Sequence, residues 1–560
     1  MSRKTFDYIV VGAGTAGGVI AKELSDDNHT SVLVLEPGTN MTEELRSASS
    51  SRASALATDN KFSFNILSKI EPNIRHQLRL SSGRAIGGSS EHNAMYAVRG
   101  SEELYDEWAS LVGSQWSYDS IRSLFKRNET YTGSTQEKDE RGTKGPIYVR
   151  QQTIPKGRLI PTLVKATSDT LNIPIVEDYN TGIKDCTFLK SQFLQKEEDG
   201  QYVRSSTATG YLNEEIVTQG DEFNPDEFGV DGRRLVILTK TTVNKVLFEK
   251  DGKDYIAVGV EVVRDGKSQR AFAKKGIIIA AGNFSSVILQ RSGIGRTSDL
   301  AEAGISTLIE SPNVGHNFQA HFTGGIGVEI ETTRLQQVIN ADPDMPFPLG
   351  AFKGEGRSGG RRLQLYGSTG PRFVPIQDVH VNDWEYDPNK TTNVMSIGIF
   401  DLNPKSRGTI LAAHSDPEAY PSINLNPLTD PDDLDFMVDQ YIEAFNIMKR
   451  ARRLDKGGVY KVVYPPENVF NLTDEKEKRK QLTDYVKASY HNIAHFGGQC
   501  KMGRNIREGV VDGYLNVFGT KNLKVADLSI SPILPDGNTS MPAQIIGLNA
   551  VRFLNEEFSS

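Results

Sequence analysis

The stretch FDYIVVGAGTAGGVIAKELSDDNHTSVLVLEPG, residues 6–38, constrains this chain more than any other. Residues 6–11 form an apolar, β-rich run, so a buried strand is expected there. Gly12-x-Gly14-x-x-Gly17 follows at once, then the helical pattern GVIAKELS and a second buried strand, SVLVLE, ending in Glu36. This is the order of a βαβ dinucleotide-binding unit. Gly12 permits the tight turn, Gly14 the approach of a pyrophosphate, and Gly17 the packing of helix on strand. The helix N-terminus offers free N–H groups to phosphate. A carboxylate at Glu36 accepts bonds from ribose hydroxyls and disfavours a 2′-phosphate. The motif alone does not choose between NAD and FAD.

At 560 residues the chain is too long for one ordinary core. The net charge of −7 argues against nucleic acid as the main partner. Two cysteines, Cys186 and Cys500, exclude a disulfide scaffold and suggest a reducing compartment. The N-terminus lacks the pattern of a secretory signal, and no apolar run approaches the roughly 18 residues of a membrane span. An intracellular location is therefore expected.

Further along, residues 133–146 read as a charged loop. Residues 235–248 read as a strand pair or one long strand, and KGIIIAAGNFSS as a buried strand entering a turn. Residues 341–364 read as a loop-rich cover. Residues 430–454 read as an amphipathic helix with an acidic start and a basic end. Strand and helix patterns alternate at both ends of the chain and mix in the middle, as in a nucleotide domain interrupted by a second one.

Several segments carry a resemblance. GRAIGGSSEHN (83–93), AAGNFSSVILQRSGIG (280–295), NVGHNFQAH (313–321), HFGGQCKMG (495–503) and LKVADLSISPILPDGNTSMPAQIIG (523–547) resemble the signatures of the glucose–methanol–choline (GMC) flavin oxidoreductases. Together with the N-terminal motif they span nearly the whole chain. Departures are Ser285-Ser286 for the usual Ser-Pro, Ala320 for an Asp, and His92 for an aliphatic residue.

The resemblance implies an α/β plus α+β fold: a Rossmann-like FAD-binding domain interrupted by a substrate domain built on an antiparallel sheet with helices. The expected boundaries are 1–160, 235–320 and 505–560 for FAD, and 161–234 and 321–504 for substrate and cover. It also implies oxidation of an alcohol or sugar hydroxyl, with a hydride passing to flavin N5 and with dioxygen or another electron acceptor. Such chemistry needs a base beside the flavin, and histidine suits it by its near-neutral pKa. His495 aligns with the family's base. His491, four residues earlier, is a rival, read as structural or supporting. Asn538 falls at the second catalytic position, where an amide orients the substrate but cannot take its proton.

Flavin contacts implied by the resemblance are Gly12, Gly14, Thr15, Ala16 and Gly17 at the pyrophosphate, Glu36 at the ribose and Val243 at the adenine. Arg84, Gly87, Gly88, Ser89, His92 and Asn93 would surround the flavin. Asp527 and Leu528 would meet the ribityl–phosphate region, and Asn538, Thr539 and Met541 the pyrimidine edge. In some family members a histidine at the position of His92 is bonded to the flavin 8-methyl carbon, so a covalent link is expected here. No metal is expected. A hydroxynitrile-lyase-like role and a particle component of the giant-virus type, assembled from copies of the chain, remain as alternatives. Phe322, Trp384 and Tyr386 are pocket candidates that read better as core or surface.

Overall fold

The computed structural model describes residues 5–40, 55–217, 229–354, 359–370 and 393–559. Two eight-stranded sheets dominate. The first begins with the apolar run at the N-terminus. Thr5–Val11 pairs in parallel with Val32–Leu35 on one side and with the end of Lys267–Ile279 on the other. Leu235–Leu238 and Leu523–Val525 extend the parallel part. Parallel strands are covered on both faces, which is why these read as unbroken apolar runs. Helix Gly17–Leu24 follows the first strand and packs on the C-terminal helix Ser540–Ser559. Gly17 explains how it gets there: a Cβ would lie 2.0 Å from the Gly12 carbonyl oxygen.

Residues 235–248 do contain two strands, but these do not pair with each other. Leu235–Leu238 and Thr242–Asp251 take opposite ends of the sheet order, separated by a left-handed turn residue, Lys240. Lys267–Ile279 makes this possible. It is long enough to carry the meander Thr242–Asp251/Asp254–Arg264 on its first half and the N-terminal strand on its second.

The second sheet runs in the order Val459–Tyr464, Gln319–Ile330, Val394–Asp401, Leu363–Thr369, Gly350–Lys353, Cys186–Phe188, Ile175–Val176. Its pairings are antiparallel apart from the last. His491–Gly497 adds beside the start of Gln319–Ile330. The expected helix is Pro431–Leu454, capped by Asp430, whose carboxylate accepts the Asp432 N–H at 3.1 Å. Its apolar stripe, including Met437, Tyr441, Ala444 and Met448, enters the core cluster behind this sheet. The stretch 341–364 is less loop-like than its glycines suggest, since Gly350–Lys353 is an inner strand.

Candidate active site

A cavity of about 1070 Å³ runs from the end of the first strand to the second sheet. It exceeds the roughly 300–1,000 Å³ usual for small-molecule pockets and has room for a dinucleotide plus a small substrate. Gly12, Gly14, Thr15, Ala16 and Glu36 line one end, with Val243 beside them. Thr15 and Ala16 sit where the helix leaves its first N–H groups without intrahelical acceptors. Glu36 is buried, and its two oxygens accept the N–H groups of Ala13 (3.0 Å) and Gly38 (2.8 Å). Burial raises its pKa to about 7 against the pull of those bonds and of Arg84.

The loop 83–93 lies against this turn. Gly88 has φ +57°, and a Cβ on it would come within 2.7 Å of Gly14 Cα. Only a glycine permits that approach, and it carries Ser89, His92 and Asn93 along the cavity wall with Arg84. The buried Arg204 guanidinium grips the loop from behind. It donates to the Ser90 carbonyl (3.0 Å), the Asn93 carbonyl (3.0 Å) and the Asn93 side-chain oxygen (2.7 Å). His92 is 7% exposed, and its Nε2 has no hydrogen-bond partner among the described residues. Burial and the Arg204 charge hold its pKa down at about 4. Asp527 ties the C-terminal segment to the turn after Ile279. Its carboxylate accepts the N–H groups of Gly282 (2.9 Å) and Ser529 (2.8 Å) and the Ser285 hydroxyl (2.6 Å).

At the other end stands a histidine pair. Residues 491–495 form no helix; they belong to a strand with a bulge. Ala320 opposes Phe496 and Phe322 opposes Asn492, so three residues, 493–495, face His321 alone. Ala494 adopts φ +59° to make the bend. His495 is thereby turned onto His321, with the two Nδ1 atoms 3.1 Å apart. Asn538 Nδ2 lies 3.4 Å from His495 Nε2, and Asn538 Oδ1 accepts from Gln364 Nε2 at 3.1 Å.

One arrangement of protons fits these contacts. Gln364 takes the oxygen end of the Asn538 amide, so the NH2 end faces His495 and Nε2 accepts. In that arrangement His495 Nδ1 carries the hydrogen and donates to His321 Nδ1. Burial pushes the His495 pKa down to about 4, and burial with the neighbouring ring pushes His321 well below its ordinary value. At neutral pH His495 is thus an uncharged imidazole with a lone pair available.

His495, Asn538, Thr539 and Leu528 line the cavity, as do Asp527 and His491, whose Nδ1 lies 2.7 Å from the Ser489 carbonyl oxygen. Gly17, Gly87 and Met541 stand behind the wall: Gly17 packs the helix, Gly87 turns the loop at φ +90°, and Met541 is fully buried. His321 and Gln364 were not singled out in the sequence. The histidine closing NVGHNFQAH was the available signal for the first; Gln364 had none. Tyr366 and Phe400, stacked 5.8 Å apart, line the cavity instead of Phe322, which stacks on Tyr490 in the core. Trp384 and Tyr386 lie outside the described residues.

The groups present suit a flavin dinucleotide. The glycine cradle meets a helix N-terminus at the pyrophosphate end, a carboxylate waits at the ribose end, and a buried unpartnered imidazole nitrogen borders the cavity between them and the histidine pair.

Two family models described as GMC oxidoreductase match the chain, one over residues 6–323 and one over residues 404–547. An oxygen-dependent choline dehydrogenase of Sinorhizobium fredii is 28% identical, covering 97% of this chain and 94% of its own length. An uncharacterized GMC-type oxidoreductase of Mycobacterium tuberculosis is 28% identical, with 97% and 98% covered. Pyridoxine 4-oxidase from Mesorbium loti has a similar structure, with a TM-score of 0.80 at 22% identity over 98% and 99% of the two chains. A fungal aryl-alcohol oxidase gives a TM-score of 0.77 at 20% identity, with 100% of both chains covered.

Proposed function

The chain belongs to the GMC oxidoreductase family, an FAD-dependent oxidoreductase, and on that premise we propose that it oxidises an alcohol to its carbonyl compound with His495 as the base. The observation that carries this reading is the placement of His495 on the cavity wall between His321, at 3.1 Å, and Asn538, at 3.4 Å. FAD supplies the two-electron acceptor for the hydride.

His495 Nε2 takes the hydroxyl proton while the carbinol C–H leaves with its electron pair. Asn538 Nδ2 donates to the substrate oxygen as it gains charge. Once protonated, His495 still has His321 Nδ1 as acceptor for its other N–H, which steadies the imidazolium. Glu36, Arg84, Asn93, Asp527 and the glycine turn would hold the dinucleotide, and His92 Nε2 would be the attachment atom for a covalent link.

The substrate carbon skeleton meets Tyr366 and Phe400, which share a sheet face with Gln364 by register. An aromatic, uncharged alcohol suits that wall. An anaerobic screen of benzyl alcohol, choline and glucose tests the reading. Benzyl alcohol should bleach the bound flavin fastest. A flavin that no alcohol bleaches sinks the oxidation reading and favours a lyase or an assembly role.

A further inference from the structure

We propose that Gln364 is a positioning residue that selects the one orientation of the Asn538 amide the reaction can use. The proposal rests on the reading of His495 and Asn538 as the reacting pair. An asparagine amide has two ends of nearly equal shape and opposite hydrogen-bonding character. With Nδ2 toward the cavity, Asn538 offers a donor to His495 Nε2 and to a substrate oxygen gaining negative charge. Turned by half a rotation, it would set an acceptor against two acceptors. Asn538 itself holds no preference between the two.

The choice is made from behind. Gln364 is 1% exposed, on the strand Leu363–Thr369, and its Nε2 donates to Asn538 Oδ1. Its own Oε1 is buried and has no partner among the described residues. The donor end of Gln364 meets Asn538 Oδ1 at 3.1 Å, and only a donor there can hold that oxygen away from the base.

The same segment also fixes the backbone that presents Asn538. The Arg361 N–H donates to Asp536 Oδ2 at 2.7 Å, and the Ser101 N–H to Asp536 Oδ1 at 2.8 Å. Gly537 fits against Val98, where a Cβ would lie 2.4 Å from Val98 Cγ1. Residues 361–364 therefore grip the loop at the Asp536 carboxylate through the Arg361 N–H and at the Asn538 side chain through Gln364. Register adds a further tie: Gln364 pairs with Phe400, which in turn pairs with Thr323, two residues beyond His321. One sheet face thus carries the residue that orients the base and the residue that orients the amide.

Gln364→Glu keeps the shape of the side chain and removes the donor while the carboxyl is ionised. The holoenzyme is mixed without oxygen with benzyl alcohol, or with whichever alcohol bleaches it fastest in the screen above, across a pH range. The expected result is normal flavin content, little change in KM and a fall in kcat of about 100-fold near neutral pH, the scale of losing one aimed donor. Activity should recover as pH falls below neutrality and the new carboxyl gains a proton to donate, over a range where the unaltered protein gains nothing. Gln364→Met should show the loss without the recovery, and it carries the test if Gln364→Glu does not fold. An unchanged kcat in either variant, or a loss in Gln364→Glu with no recovery in acid, overturns the proposal. Asn538→Ala run alongside separates the two ideas. If it retains full kcat, the reading of the pair has failed; if it is impaired while Gln364→Glu is not, only the role of Gln364 has failed.

Discussion

At the residue scale the account turns on histidines with different duties. On the proposed reading His495 holds its lone pair toward Asn538 while His321 accepts its other N–H, and burial lowers its pKa to about 4. A depressed pKa means the neutral, proton-accepting form is complete above it and is lost as pH falls through it. The pH profile of kcat/KM should therefore be flat around neutrality and drop only as pH approaches about 4, read with a stable substrate alcohol. His92 belongs to cofactor retention. Acid precipitation should leave the yellow colour in the pellet, and His92→Ala should release it to the supernatant. Colour released from the unaltered protein would remove the covalent link and leave His92 as a packed neighbour of the cofactor.

At the element scale, the glycine turn and the bulged strand are the devices that matter. Gly17 stands 2.0 Å, at Cβ, from the Gly12 carbonyl, so Gly17→Ala forces helix and turn apart. It should lower stability by about 1–3 kcal/mol, the cost of overpacking, and reduce the flavin retained on purification. A denaturant melt and the ratio of flavin to protein absorbance would read both.

The glycine turn was legible because it is local: strand, three glycines, helix and acid occur in one run of sequence. The bulge at 493–495 was not. Its spacing of four between His491 and His495 also fits a helix, and only pairing with Gln319–Ile330 makes it a strand that aims His495 at His321. Gln364, Tyr366 and Phe400 escaped for the same reason. They come together through register between strands that are distant in sequence, and neither strand carries a motif. The fold class itself was legible, since the parallel strands are buried on both faces and announce themselves as apolar runs.

At the scale of the whole molecule, one cavity joins the two sheets, with its glycine cradle on the first and its histidine pair on the second. A dinucleotide bound there touches both, so cofactor and fold are linked. In His92→Ala, where the cofactor is held reversibly, free FAD at about 100 times its dissociation constant should stabilise the apoprotein by about 2.7 kcal/mol, seen as a rise in melting temperature. A covalently attached cofactor would add a melting curve independent of free FAD.

Acid should act on the whole fold as well. His92 and His495 titrate at about 4 when folded, and burial with the neighbouring ring holds His321 well below its ordinary value, against about 6.5 unfolded. The histidines therefore cost stability as pH falls from 6.5 toward 4, while Glu36 and Asp401, raised to about 7 in the folded chain, offset that loss over the same range. Among the described residues no helix is long and apolar enough to cross a membrane.

The most direct measurement is anaerobic stopped-flow reduction of the flavin by an alcohol, with the unaltered protein and His495→Ala side by side. The account predicts bleaching in the first and a rate about 100- to 10,000-fold lower in the second, with flavin content equal. Equal bleaching rates in the two proteins would contradict it.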